Sequence, residues 1–233
     1  MPCTLPAVLA DAAVCRGSFH AVLRTDVPDT VFSAFSAALQ KAQADGSLLT
    51  ASLFRCESHL FFYAEGLNRP FTPQGLCPAL DAALLPWPPA LGETSPRPWA
   101  AMQPYFYHDI PTTAADWQQG RCPQRRRGRI ALLPPDKWCS YMEHHLRIVT
   151  EGLVEGDRWH LICVQEGVLF SCLEEPRTNV NIRHQPGAHS PELDAWIAAD
   201  PESHFARFTP EQKAHPDGGH NFVFLPRIAG TED

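Results

Sequence analysis

The chain has 233 residues, of which 44% are hydrophobic, and a formal net charge of -7. That length holds one large domain or two small ones with a sizeable core. The acidic balance argues against a nucleic-acid-binding surface, which would be basic, and no apolar stretch is long enough to span a bilayer.

Residues 1–17, MPCTLPAVLADAAVCRG, lack the basic start and long apolar run of a signal peptide and read as an N-terminal tail. A strand-like run follows at residues 18–25, SFHAVLRT. After the turn DVPD, Asp29 or Thr30 can cap a helix that puts Phe32, Phe35, Leu39 and Ala42 on one face and stops at Gly46. Two strands, LLTASLFRC and HLFFYAEG, are split by Glu57 and Ser58, a hairpin signal. A proline-broken stretch, PALDAALLPW, can hold one short helix, and MQPYFYHDI reads as a closing strand. These elements make a first repeat over residues 18–109. Residues 110–128 read as a linker, and the basic run Arg125–Arg129 at its end as a solvated segment, with a phosphate contact the minor reading.

The second repeat, residues 129–228, restates the pattern. The strand RIALLP leads to Asp136 as cap of the helix KWCSYMEHHLRIVTEG, which ends on Gly152. The hairpin RWHLICVQ and VLFSCLEE turns at Glu166 and Gly167. Ser190 caps a short helix with Pro191 at its first position, and NFVFLPRI closes the chain. Each half is therefore β-α-β-β-α-β, the ferredoxin-like order, in an α+β chain. The hairpin strands are apolar at nearly every position, so both faces of each sheet should be buried. Packing the two helix-free faces on each other does this within one chain, as a pseudo-dimeric α/β barrel.

The eight cysteines form no CxxC pair and read as reduced, mostly buried thiols of a cytoplasmic protein. The turns around His184 and His189, and around HPDGGH at residues 215–220, hold histidines without the spacing of a metal site, so none is expected. The chemically informative segment is YMEHHLRIVTEG. On a helical wheel Trp138, Tyr141, His145, Ile148 and Gly152 share one stripe, with His144 at its edge and Glu143 pointing away. A histidine on a packed face needs a partner, and a ligand can be one.

The hairpin LFRCESHLFFYAEG, the strand MQPYFYHDI and the spacing of Tyr141 and His145 resemble the L-rhamnose mutarotase family. The resemblance implies an isomerase that interconverts the anomers of an aldose without a cofactor, with His145 and Tyr141 catalytic. It places substrate contacts at His160, with Trp159 one residue off, and at His204 and Phe205, where the family has a tryptophan pair. In the first repeat the position matching the histidine falls at Thr30 or Val31, so that repeat is expected to have lost its site. The implied partner is a small-molecule sugar, with no nucleic acid and no membrane. The chain is expected to be a monomer with an internal pseudo-two-fold or a weak homo-oligomer. A second reading is a non-catalytic barrel of the same ancestry that binds a small ligand or a protein, and a third is a heme or monooxygenase barrel.

Overall fold

The computed structural model describes residues 9–107, 109–121, 123, 125–150, 158–175, 191–208 and 221–231. Ser190, Gly152, Cys3, Cys122 and the turns around His184, His189, His215 and His220 lie outside the described residues. The chain is α+β, with two antiparallel five-stranded sheets. It divides into two compact units. Unit 1 comprises residues up to Met102 with Pro111–Cys122 and Pro226–Asp233, and unit 2 comprises Gln103–Ile110 and Pro123–Leu225. No helix among the described residues is long and apolar enough to cross a membrane.

Unit 1 contains β1 (Val14–Val22), α1 (Asp29–Ala44), β2 (Leu48–Cys56), β3 (His59–Leu67), α2 (Pro78–Ala82) and β4 (Ala100–Ala101). The first helix buries Phe32, Phe35, Leu39 and Ala42 as its periodicity predicts. Its N-cap is Pro28, without a side-chain cap, and Asp29 lies inside the first turn, where the helix dipole favours a carboxylate. Phe35 and Leu39 pack with Leu53, Leu60, Phe62 and Trp99 into the core of the unit. Consecutive residues on β2 and β3 are buried, so these strands are covered on both faces, as their unbroken apolar runs require. β1 begins at Val14, within the segment read as a tail.

Unit 2 repeats the plan with β6 (Arg125–Leu132), α4 (Trp138–Thr150), β7 (Leu161–Gln165), β8 (Val168–Glu175), α5 (Pro191–Ala198) and β9 (Val223–Leu225). Its core joins Ala131, Leu133, Tyr141, Ile162, Leu169 and Phe205. Asp136 does not cap α4: it sits in a single 3-10 turn, Pro135–Lys137, that precedes the helix. The β7–β8 turn has Glu166 and Gly167 at φ 48 and 82, a conformation that suits glycine at the second place. A Cβ on Gly167 would stand 2.9 Å from the Leu133 carbonyl oxygen.

Of the two segments read as closing strands, only NFVFLPRI breaks in two; MQPYFYHDI holds β5 (Gln103–Tyr107) alone, and the first repeat closes on β4 just before it. After β4, the chain continues into β5, and after β9 it passes Pro226 into β10 (Arg227–Gly230). The sheet of unit 1 runs β10-β2-β3-β1-β4, and that of unit 2 runs β5-β7-β8-β6-β9. So β4 and β9 complete their own repeats, whereas β5 and β10 are each lent to the other repeat's sheet. Prolines fit such an edge: Pro104 and Pro226 have no N–H to donate to a ladder.

The segment 111–121 holds the short helix α3 (Ala114–Gln118), and its Trp117 is fully buried in unit 1. The basic run Arg125–Arg129 is strand, not solvated connection, because its arginines find partners on both sides. Arg126 pairs with Glu174 at 2.9 Å and Arg127 with Glu175 at 2.9 Å. The Arg127 and Arg129 guanidiniums lie over the rings of Phe224 and Phe222. Both repeats set an arginine directly across from a glutamate, Arg16 from Glu65 and Arg126 from Glu174. In unit 1 Glu65 is 0% exposed and receives both Arg121 nitrogens, at 2.6 and 2.8 Å. The Tyr63 hydroxyl donates to it at 2.6 Å and accepts from Arg16 at 2.9 Å.

Two outcomes test this architecture. Glu65→Gln strands buried guanidinium charge, and chemical denaturation should show a loss of about 3–5 kcal/mol. Removing residues 226–233 takes away the acceptor for the Arg55 amide and the Thr231 hydroxyl that serves Ala51. Hydrogen exchange should then quicken along β2, although the deletion lies at the far end of the sequence.

Candidate functional site

The sequence directs attention to α4, and there the structure gathers rings. His145 is half-buried, and its Nδ1 lies 3.0 Å from the Tyr141 carbonyl oxygen one turn back. A carbonyl only accepts, so Nδ1 carries the proton and Nε2 is the acceptor nitrogen of the neutral ring. Burial pulls the imidazole down to about 4 from its ordinary 6.5. The Tyr141 carbonyl opposes that shift, while His144 and His204 add to it by charge repulsion. The ring is therefore neutral throughout the physiological range.

Tyr141 is buried and its ring centroid lies 4.2 Å from that of His145. His204 ends a 3-10 turn, Pro201–His204, is 4% exposed, and sets its Nε2 3.1 Å from the Ser140 hydroxyl. Its ring meets Tyr141 at 5.8 Å and His144 at 6.0 Å. Phe205, next in the chain, stands edge-on to Tyr141 at 5.0 Å. His160 is buried just before β7, edge-on to Phe106 at 6.3 Å. Trp159 lies in the turn before it, half-buried. The structure thus brings Tyr141, His145, His204 and Phe205 into one cluster and links His160 to it through Phe106, whose ring is 5.5 Å from His145.

Sequence reasoning missed Tyr105 and Phe106, because β5 lies within the first repeat in sequence but belongs to the second sheet. Tyr105 stacks on Tyr141 at 5.6 Å and 12° and stands edge-on to His145 at 5.8 Å. Its hydroxyl is buried and has no hydrogen-bond partner among the described residues. Burial, reinforced by Tyr141, raises its pKa far above the ordinary phenol range. The available signal was Pro104 inside an apparent strand, which marks an edge. His144 is more than a rim residue, since its ring meets that of His204.

The counterpart of His145 is also corrected. The buried stripe Phe32, Phe35, Leu39 of α1 has the spacing of Trp138, Tyr141, His145, so Leu39, rather than Thr30 or Val31, takes the place of the histidine. Among the described residues no group of three or more His, Cys, Asp or Glu is placed to hold a metal ion.

No family model matches the chain, and no curated protein matches it. Two solved structures are similar to it. One is a candidate monooxygenase from Fusobacterium nucleatum, at 11% identity and a TM-score of 0.44, with 94% of each chain covered. The other is an anthrone oxidase-like protein, at 8% identity and a TM-score of 0.37, with 93% of this chain and 95% of that chain covered. The rhamnose mutarotase resemblance is corrected here: no family model, a mutarotase one included, matches the chain. The isomerase activity, the sugar specificity and the binding module of mutarotase ancestry fall with it. The cause lies in the motifs. A hairpin of apolar residues and a Y-x-x-x-H spacing are satisfied by any helix that packs a tyrosine and a histidine on one face.

The neutral histidine has a measurable signature. Its folded-state pKa is below the unfolded value, so the unfolded chain binds more protons between pH 6.5 and 4. Stability should fall as pH drops through that window, with His145 contributing up to about 3 kcal/mol. Urea unfolding of His145→Leu, which copies Leu39, should show a shallower loss than the parent between pH 7 and pH 4.5.

Proposed function

We propose that unit 2 binds a small planar aromatic molecule and removes a proton from it at His145, as the first step of an oxidation by dioxygen. The observation that carries this reading is a neutral imidazole, its tautomer fixed by the Tyr141 carbonyl, set among the rings of Tyr105, Phe106 and Tyr141. Aromatic walls favour a flat apolar ligand by stacking and edge contacts. A buried neutral histidine is a poor base toward bulk solvent. It becomes a competent one when the anion it creates stays beside it, because the opposite charge offsets the desolvation of the imidazolium. The substrate that suits such a site is a weak carbon or oxygen acid whose negative charge delocalises over an aromatic system.

In the proton transfer, the substrate C–H bond breaks, an N–H bond forms at His145 Nε2, and the electron pair moves onto the substrate's oxygen. Dioxygen then accepts the electrons. One of its atoms ends as a new carbonyl on the carbon, and the other leaves as water. Anthrone, an aromatic ketone with an acidic methylene, has both features and is the test compound. The architecture inferred from sequence, two sheets paired as an intrachain pseudo-dimeric barrel, belongs to the same reading and is supported by the two-sided burial of β2 and β3.

Oxygen uptake and quinone absorbance should both rise with the protein over buffer. The kcat/KM should stay level from pH 8 down to about pH 5 and fall only as His145 protonates near pH 4. His145→Leu should cost about a hundredfold or more. Rates equal to buffer across a panel of anthrones and naphthols would sink the reading.

A further inference from the structure

The two lent strands share an irregularity. In β5 the register with β7 shifts between Pro104 and Phe106, and in β10 the register with β2 shifts between Arg227 and Ala229. Pro104 pairs with Cys163 and Phe106 with Ile162, while Arg227 pairs with Phe54 and Ala229 with Leu53. Tyr105 and Ile228 are therefore the bulged residues at matching places. A bulge re-aims the extra side chain out of the ladder's alternation. In unit 1 that side chain, Ile228, lines an open groove of about 500 Å³ along α1, with Phe32, Ser33 and Gln40. In unit 2 it is Tyr105, against Tyr141 and His145 of α4.

The comparison isolates the hydroxyl. An isoleucine does the structural job at this bulge, so the fold requires no phenol there. Yet Tyr105 carries one, buried and without a hydrogen-bond partner among the described residues. A buried donor left unmade destabilises the protein unless something else completes it. The ring is stacked almost parallel on Tyr141, so its O–H projects along the plane of the aromatic pair.

We propose that the Tyr105 hydroxyl is the hydrogen-bond donor for an oxygen of the bound molecule, and that the site selects flat aromatic ketones and phenolates over hydrocarbons of the same shape. This rests on the reading of the α4 cluster as a binding site. Tyr105 supplies the donor and His145 Nε2 the acceptor, so a fitting ligand offers an acceptor oxygen and an acidic hydrogen. As the proton leaves, charge collects on the oxygen, and the hydrogen bond from Tyr105 strengthens.

The experiment compares anthrone with anthracene, which keeps the shape and lacks the oxygen. Anaerobic fluorescence titration is run on the parent protein, Tyr105→Phe and His145→Leu, with thermal melts of each unliganded protein. The parent should prefer anthrone by roughly tenfold, and Tyr105→Phe should bind both equally. Unliganded Tyr105→Phe should melt about 2–4 °C higher, because an unmade hydrogen bond is removed. A Tyr105→Phe protein that keeps the preference, or that melts lower, overturns the proposal while leaving the site in place. If neither compound binds the parent, and His145→Leu changes nothing, the site reading fails and takes the proposal with it.

Discussion

The exchange of β5 and β10 is the constraint on which the rest depends. Neither sheet is complete from one continuous half of the chain. The edge of β2 is closed by residues that follow it by most of the sequence, and β7 is closed by residues that precede the second repeat. Backbone groups at an open edge are available to any passing strand. Here the chain covers those edges with its own strands, so the lent pieces are fixed by ladder hydrogen bonds and side-chain ties. Thr231, for example, bonds to Thr50 and Ala51, and the Gly230 amide donates to Ser36 of α1. A side chain delivered on such a strand is held by its ladder, and the bulge decides which way it faces.

That positioning explains why a histidine in an apolar cluster is tolerable. A charged imidazole there would be costly, and the structure avoids the cost by keeping the ring neutral and giving Nδ1 a carbonyl within its own helix. The charges of His144 and His204 reinforce this by lowering the His145 pKa further. Unit 1, like the Arg126–Glu174 pair of unit 2, keeps its buried charge paired. It keeps Glu65 and two arginines and satisfies them through Tyr63 and Arg121. Both sheets thus carry a buried Arg–Glu pair, and unit 2 adds a histidine cluster beside its helix.

Much of the frame was legible in the sequence because local signals and burial agreed. The stripe of α1, the Glu57–Ser58 and Glu166–Gly167 turns and the two-sided apolar strands each follow from periodicity or turn chemistry, and each recurs in the structure. The inward turn of Tyr141 and His145 was legible for the same reason. The fate of MQPYFYHDI and NFVFLPRI was not. A run of strand formers reveals that it pairs, and nothing in its composition names the partner. Tyr105 was invisible as a site residue because its neighbours are non-local. Arg125–Arg129 misled because charge density suggests solvent, while the partners that neutralise it, Glu174 and Glu175, lie on another strand. The sugar reading failed through motifs that report packing rather than chemistry.

The repeats make each departure from symmetry informative. Where both halves place the same kind of group, as with the facing Arg16–Glu65 and Arg126–Glu174, the fold itself accounts for it. Where they differ, the simpler half shows what packing alone demands. Leu39 shows that the third place of the stripe needs only a buried hydrocarbon, and Ile228 shows that the bulge needs only an apolar side chain. His145 and Tyr105 put a polar ring in both places, within 5.8 Å of each other. One such exchange is compatible with drift in a tolerant core. Two at adjacent places, one presenting an acceptor and the other a donor, form a pair whose common explanation is a ligand that meets both.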